Sequence, residues 1–144
     1  MILAIDVGNS NVAMGVYDGE RLVRHWRLST VAGATADDLG ISMRTLLGYN
    51  GINCEMVDAV VYATVVPPLV ASLEEMCLRY LKVRPLKVGP GTKTGIDIKY
   101  DNPREVGPDR IANAVAAQHL FGGPSLVVDF GTATTFDVIS EEGN

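Results

Sequence analysis

The sequence predicts a mixed α/β fold in which one structural plan occurs twice. The plan is an apolar strand, an Asp, one further residue, a Gly, a small polar turn, a second strand and a hairpin turn. It appears as AIDVGNSNVAMGVYDG, residues 4–19, and again as VVDFGTATTFDVISEEG, residues 127–143. Two unrelated hairpins would not explain why both place the Asp two residues before the Gly. We therefore expect a duplicated architecture with a cleft between the two copies.

The first copy begins a meander of three strands. Residues 1–7 form an apolar run with β-branched members, which is typical of a central strand covered on both faces. Residues 12–17 resume strand character, and the pair Asp18-Gly19 favours a tight hairpin. Residues 21–28 then alternate polar and apolar side chains, as a third strand does.

A helix is predicted next, over residues 35–48. Thr35 is a suitable N-cap, and Asp37 and Asp38 favour the first turn because the helix dipole is positive there. The apolar positions of the segment share one face, which predicts packing against the sheet.

A strand–helix–strand unit follows. Residues 58–66 indicate a buried strand, which the pair Pro67-Pro68 ends. Residues 69–81 have the apolar spacing of a helix, and residues 86–88 indicate a short strand. The order up to this point is β-β-β-α-β-α-β.

The second copy is preceded by a clear helix. Residues 108–121 begin with a proline and end at Gly122-Gly123, as helices commonly do. Residues 125–130 indicate a buried strand that ends near an acid, and residues 135–139 a second strand.

The composition excludes several classes of function. The chain has 144 residues, 47% of them apolar and 20% charged, which is typical of a folded domain and not of disorder. A net charge of −5 argues against a broad electrostatic grip on nucleic acid. No apolar run reaches ~18 residues, and the first apolar run indicates a strand rather than a signal peptide. Cys54 and Cys77 lack metal-like spacing, so we expect reduced structural thiols in a cytoplasmic protein.

Both copies of the plan place a carboxylate where ligands of α/β sheets usually bind. Asp6 and Asp129 come near the ends of predicted strands, and each is followed by a glycine that lets the backbone turn close to a ligand. Polar turns offer donors to phosphates, and a carboxylate beside them is explained if a cation such as Mg²⁺ lies between. For either copy alone, ordinary turn chemistry of Asp and Asn is the alternative.

Residues 89–110, GPGTKTGIDIKYDNPREVGPDR, form a polar segment that runs into the predicted helix. The segment lacks the P-loop pattern. Pro108 at the first helical position puts Asp109 and Arg110 in the first turn, where the dipole favours an anion. Arg110 is suited to a substrate carboxylate or phosphate. The alternative is a helix-start motif with a surface ion pair.

Four motifs together resemble the type III pantothenate kinases, within the actin-like, sugar-kinase and Hsp70 superfamily: DVGNSN, GPGTKTG, NPREVGPDRIANAVAA and VVDFGTATTFDV. The resemblance implies an α/β, ribonuclease-H-like (actin-like ATPase) fold that is duplicated. The first domain would cover residues 1–110, and residues 111–144 would begin a second, incomplete domain. The implied protein is a homodimer that phosphorylates the primary hydroxyl of pantothenate with ATP, the first step toward coenzyme A.

The resemblance also implies roles for individual residues. Asp109 would be the proton acceptor, Asp129 would hold a potassium or ammonium ion, and Thr132 would contact ATP. ATP, bound with Mg²⁺, would meet the first loop, which comprises Asp6, Val7, Gly8, Asn9, Ser10, Asn11, Val12 and Ala13. Pantothenate would meet Tyr100, Gly107, Pro108, Asp109 and Arg110.

Members of that family are longer than this chain. We therefore expect the chain to be inactive alone and, because its second domain leaves strand edges unpaired, to aggregate or dimerise. One alternative is a non-catalytic accessory or regulatory relative that keeps only a binding role. Another is a sugar or acetate kinase of the same superfamily, against which the EVGPDR segment argues.

Overall fold

The computed structural model describes every residue from Met1 to Asn144. The chain forms two compact units, Met1–Lys87 and Val88–Asn144. Its strands and helices, in chain order, are β1 (Ile2–Val7), β2 (Asn11–Asp18), β3 (Arg21–Ser29), α1 (Ala36–Tyr49), β4 (Ala59–Thr64), α2 (Val70–Met76), β5 (Leu86–Lys87), α3 (Pro108–Phe121), β6 (Ser125–Phe130) and β7 (Thr134–Ile139). None of the helices has both the length and the apolar character needed to span a bilayer.

Residues 88–110 belong to the second compact unit, whereas the resemblance assigns them to the first domain. The segment contains one short 3-10 turn, Pro103–Glu105, and leads directly into α3. The division of the fold into domains at residue 110 stays a prediction.

β1 is the middle strand of a five-stranded sheet, in agreement with the central strand that its sequence predicts. The strand order is β3-β2-β1-β4-β5. The first three strands form the predicted antiparallel meander, and β4 and β5 continue the sheet in parallel with β1. Because β1 and β4 are parallel neighbours, their carboxyl ends meet at one edge, where Val7 pairs with Thr64.

Only one face of β1 is covered in this chain. Leu3, Ile5 and Val7 are buried, whereas Ile2 on the opposite face is 44% exposed. The predicted coverage of both faces is therefore wrong, because α1 and α2 contribute to a single core on one side of the sheet. The core side chains of these helices include Met43, Leu47, Leu73 and Met76.

The helices of the first unit begin and end at identifiable signals. Thr35 and Asp38 form a reciprocal capping box at the start of α1, which confirms the predicted cap. The predicted second helix is divided, since α2 gives way to a turn of π-helix over Cys77–Leu81, which ends at Lys82 with φ 59°. Both cysteines are free, and burial raises the pKa of Cys77 to about 12.

The second unit packs α3 against an antiparallel hairpin of β6 and β7. The bounds of β6 and α3 agree with the predicted segments. The predicted burial of β6 is wrong, because Leu126 is 59% exposed and Phe130 is 82% exposed. Phe136 and Val138, on the same face of β7, are exposed as well. These side chains have the character of core residues but lie on an uncovered face of the hairpin.

Candidate active site

Asp6 lies one residue before the end of β1, at the carboxyl edge of the sheet, opposite Ala13 of β2. The following loop, residues 8–10, is closed by a hydrogen bond of 2.9 Å from Gly8 N to Asn11 O. A Cβ on Gly8 would lie 3.2 Å from that carbonyl oxygen, which is close enough to disturb the turn. A glycine therefore suits the tight turn that follows the carboxylate.

Thr30 holds this loop from the end of β3. Its Oγ1 donates to Gly8 O at 2.7 Å, and its backbone N donates to Ser10 O at 2.9 Å. Both hydrogen bonds occupy carbonyl oxygens, which are acceptors, so they use none of the N–H groups of the loop. Apart from Gly8 N, the N–H groups and hydroxyls of the loop are its candidate donors to a phosphate. Thr30 is not among the predicted site residues, because it lies beyond the predicted third strand.

The start of α3 holds the predicted proton acceptor in a defined position. Gly107 is the N-cap and Pro108 the first helical residue. Asp109 Oδ1 accepts a hydrogen bond of 2.9 Å from Arg110 N. A Cβ on Gly107 would lie 2.5 Å from the same carboxylate oxygen, so the absence of a side chain leaves the room that Asp109 occupies.

Arg110 reaches from α3 to the hairpin and forms an ion pair with Asp137 of β7. Arg110 Nε donates to Asp137 Oδ1 at 2.8 Å, and Nη2 donates to the same oxygen. The ring of Tyr100 lies 5.6 Å from the guanidinium carbon, within cation–π distance. The hydrogen bond to Asp137 raises the pKa of Arg110 above its ordinary value, although burial opposes the rise.

Arg110 and Asp137 line a cavity of about 390 Å³ within the second unit. Most of its lining residues are apolar, and they include Ile96, Ile98, Ile111 and Ile139. A mostly apolar cavity with a few polar groups is typical of a small-molecule site.

Asp129 is bound to α3 through Asn113. Asn113 Nδ2 donates to Asp129 Oδ2 at 3.0 Å, while Asp129 Oδ1 lies 3.8 Å from the position of a Cβ on Gly131. No three His, Cys, Asp or Glu side chains cluster as they would around a divalent metal ion. Asp129 thus offers one carboxylate oxygen beside the turn that follows β6.

The predicted site residues fall into two groups. The loop of residues 6–13 lies in the first unit, and the other predicted residues lie in the second. Within the second unit, α3 brings together Tyr100, residues 107–110 and, through Asn113, Asp129. Thr132 is exposed in the turn between β6 and β7.

The sequence reasoning missed Asn113 and Asp137. Asn113 follows Asp109 by four residues, and this helical spacing could have placed both on one face of α3. Asp137 gave no comparable signal, since its partner Arg110 is far away in the chain and only tertiary structure joins them.

The chain shares its fold with a protein of known structure. The chain superposes with a TM-score of 0.53 on the crystal structure described as the "Putative N-acetylglucosamine Kinase" from Porphyromonas gingivalis. The match covers 99% of this chain and 45% of that chain at 16% sequence identity, so it establishes the fold alone. The class is therefore a mixed α/β fold that this chain shares with that structure.

Sequence comparison then identifies the family. The family model described as "Type III pantothenate kinase" matches residues 2–144. The chain is 52% identical over 141 residues to the type III pantothenate kinase of Geobacillus sp. (strain WCH70), and 54% identical over 142 residues to that of Halalkalibacterium halodurans. These matches cover 98% and 99% of the chain. The chain belongs to the type III pantothenate kinase family.

The chain spans about half the length of the curated relatives that it matches, with 55% of the Geobacillus protein and 56% of the Halalkalibacterium protein covered. Residues 107–110 and both acid-bearing hairpins lie inside the matched region.

Proposed function

We propose that the protein built on this chain transfers the γ-phosphoryl group of ATP to pantothenate, giving 4'-phosphopantothenate. The observation that carries the proposal is the start of α3, where Asp109 is followed directly by Arg110, and Arg110 lines a cavity of about 390 Å³. A site that phosphorylates a hydroxy acid needs two such groups. One is a cation that binds the carboxylate of the substrate, and the other is a base that accepts the proton of its hydroxyl. The family match over residues 2–144 supports pantothenate as that acid.

In this proposal the second unit binds pantothenate. The Arg110 guanidinium, with Tyr100 over it, binds the carboxylate of the substrate, and the apolar walls of the cavity accommodate its carbon skeleton. Gly107 and Pro108 shape the edge of the site through the N-terminus of α3. Asp109 accepts the proton of the primary hydroxyl as that oxygen attacks phosphorus.

The first unit supplies the nucleotide loop in the same proposal. Residues 6–13 give backbone N–H groups and hydroxyls for the phosphates, and Asp6 is suited to Mg²⁺, which carboxylates and phosphates commonly hold together. Thr132 lies in the turn after β6, and in this proposal it contacts ATP. Bound Mg²⁺ would neutralise charge on the phosphates during transfer.

A monovalent cation is proposed at Asp129. One of its oxygens accepts a hydrogen bond from Asn113, and the other lies near Gly131, in a turn whose backbone carbonyl groups would supply further oxygen ligands. The single charge of the Asp129 carboxylate balances that of one potassium or ammonium ion, which supports a monovalent cation at this position.

The proposal includes a duplicated ribonuclease-H-like fold. Its support is the matching geometry of the two hairpins, since Asp6 and Asp129 each precede the last paired residue of their strand. In both turns a glycine N donates to a nearby carbonyl, Gly8 to Asn11 and Gly131 to Ala133. A homodimer in the cytoplasm is part of the same proposal, and the two free thiols are compatible with that compartment.

Turnover by an Asp109→Asn variant tests the assignment of the base. We expect loss of turnover by about a hundredfold or more in a catalytically complete protein that contains this chain, while ATP affinity is retained. An Asp101→Asn variant, which changes an exposed carboxylate of the same unit, is the control. Full activity of Asp109→Asn would remove Asp109 from the role of base.

A non-catalytic binding role is the alternative that the resemblance leaves open, and the comparisons do not favour it. Isothermal titration of this chain with ATP and with pantothenate separates the candidates. Heat with pantothenate supports a retained substrate site on α3. If neither ligand produces heat, the result favours a scaffold, or a fragment that binds these ligands only together with the remaining length of its relatives.

A further inference from the structure

Asp137 has none of the roles assigned above, yet its carboxylate forms an ion pair with Arg110 within the second unit. It sits on β7 opposite Val127, on the face of the hairpin that carries Asp129. Its side chain is 13% exposed, and that of its partner Arg110 is 25% exposed. Arg110 supplies both hydrogen bonds that Asp137 accepts, and both go to Oδ1.

The second oxygen of Asp137 is buried without a hydrogen-bond partner. A buried carboxylate is costly unless an opposite charge compensates it. Arg110 is that charge, so the pair is mutually dependent: the aspartate is tolerated because of the arginine, and the arginine is held by the aspartate.

The contacts of Arg110 restrict its guanidinium from two directions. Asp137 engages the Nε and Nη2 donors at the edge of the plane, and the Tyr100 ring lies 5.6 Å from the guanidinium carbon. A guanidinium has five N–H donors, of which Asp137 takes two. The remaining donors belong to a group that lines the 390 Å³ cavity.

We propose that Asp137 is a positioning residue for substrate recognition: it fixes the Arg110 guanidinium so that the remaining N–H donors bind the carboxylate of the substrate in the cavity. The inference rests on the proposed function for the identity of that substrate, pantothenate. It assigns Asp137 no contact with the reacting atoms. Its consequence is selectivity for a carboxylate, because a mobile guanidinium loses the geometry that a planar anion requires.

The experiment uses the 144-residue chain and two matched variants, Asp137→Asn and Asp97→Asn. Both variants remove one negative charge from a residue that lines the same cavity, but Asp97 pairs with Lys99 and not with Arg110. The first measurement is the ¹⁵N order parameter of the Arg110 Nε–Hε bond without ligand. The second is the dissociation constant for pantothenate and for pantothenol, in which a hydroxymethyl group replaces the carboxylate.

We expect a rigid Arg110 Nε–Hε bond in the unchanged chain and in Asp97→Asn, and an order parameter below about 0.6 in Asp137→Asn. We expect Asp137→Asn to raise the dissociation constant for pantothenate by about tenfold and that for pantothenol by less than about twofold. The preference for the carboxylate is then lost in one variant only. An equal rise of both dissociation constants in Asp137→Asn would indicate a general structural role and would overturn the proposal. A rigid Arg110 Nε–Hε bond in Asp137→Asn would overturn it as well.

If the unchanged chain gives no signal with pantothenate, the proposed function fails for this chain. The order parameters of the Arg110 Nε–Hε bond, which are measured without ligand, then test by themselves whether Asp137 positions Arg110. If Asp137→Asn unfolds the second unit, Asp137→Glu keeps the charge and moves it by one methylene. A folded Asp137→Glu variant with unchanged preference for pantothenate over pantothenol also overturns the proposal.

Discussion

The absence of a side chain at Gly107 leaves room for the carboxylate of Asp109. Asp109 Oδ1 lies where a side chain of residue 107 would begin, with 2.5 Å between this oxygen and the position of a Cβ. The same oxygen accepts the hydrogen bond from Arg110 N. The orientation of the proposed base is therefore coupled to a glycine two residues earlier.

The Gly107→Ala variant tests this coupling. The new methyl group should displace the Asp109 carboxylate and break its hydrogen bond with the Arg110 amide, which is worth about 1 kcal/mol. We expect the Arg110 amide to exchange its proton about five- to tenfold faster in Gly107→Ala, as measured by NMR. Gly89→Ala is the control, because nothing lies within 4 Å of the position of its Cβ. Unchanged exchange in Gly107→Ala would show that Asp109 is held by other contacts.

At the scale of elements, α1 and the π-helical turn Cys77–Leu81 approach closely at a glycine. A Cβ on Gly40 would overlap the ring of Tyr80. That ring cannot simply move aside without loss, because Tyr80 Oη donates to Asp37 Oδ1 at 2.8 Å. The contact explains a glycine in the middle of a helix, where the residue is normally unfavourable.

Two alanine variants in α1 separate helix propensity from packing. We expect Gly40→Ala to lower the free energy of unfolding by about 1–3 kcal/mol, because it overpacks the contact with Tyr80. We expect Gly48→Ala to raise it by up to about 1 kcal/mol, since nothing lies within 4 Å of that Cβ position. Urea unfolding followed by circular dichroism measures both. A stabilised Gly40→Ala variant would mean that the ring of Tyr80 moves freely.

The β6–β7 hairpin presents an apolar face on which the pairs Leu126–Val138 and Val128–Phe136 lie directly opposite each other. Phe130 extends this face and is 82% exposed. A contiguous apolar surface of this kind favours association between copies of the chain.

We expect the 144-residue chain to self-associate through this face. Sedimentation velocity should show a larger species in the unchanged chain and mainly monomer after Phe130→Ser and Val138→Ser are combined. Tyr49→Ser removes a 91% exposed aromatic ring from α1 and should leave association unchanged. A monomeric unchanged chain with one cooperative melt contradicts the expectation.

At the scale of the whole molecule, the two compact units differ in their cores. The main core cluster lies entirely within Met1–Lys87. In the second unit the buried apolar side chains are Val106, Ile111 and Ile139. Since burial of apolar surface is the main stabilising term, the second unit is expected to be much less stable than the first.

Hydrogen exchange across the whole chain tests this difference. We expect the amides of β1, β4 and α1 to be protected by at least about a hundredfold more than those of α3 and β6, because local opening requires less energy where fewer apolar contacts break. Mass spectrometry of the exchanged peptides gives the comparison. Equal protection in both units would mean that they unfold together.

The order of elements was predictable from the sequence because each one is encoded locally. Alternation of side chains, the Asp18-Gly19 turn, the Thr35 cap and the proline at the start of α3 act over a few residues. The candidate residues at the start of α3 were predictable for the same reason, as were the two acids near the strand ends. A change of helix geometry is harder to predict from the sequence. The π-helical turn after α2 is an example, because no local pattern indicates it.

Tertiary structure decided burial and partnership. The apolar runs of β1 and β6 were predicted to be covered, but whether a face is covered depends on which segments pack against it, and this is not a local property. The pair of Arg110 with Asp137, the hydrogen bond of Asn113 to Asp129 and the contact of Thr30 with the first loop join residues that are distant in the chain. Local patterns specify where a strand or helix forms, whereas such contacts exist only after the elements have packed.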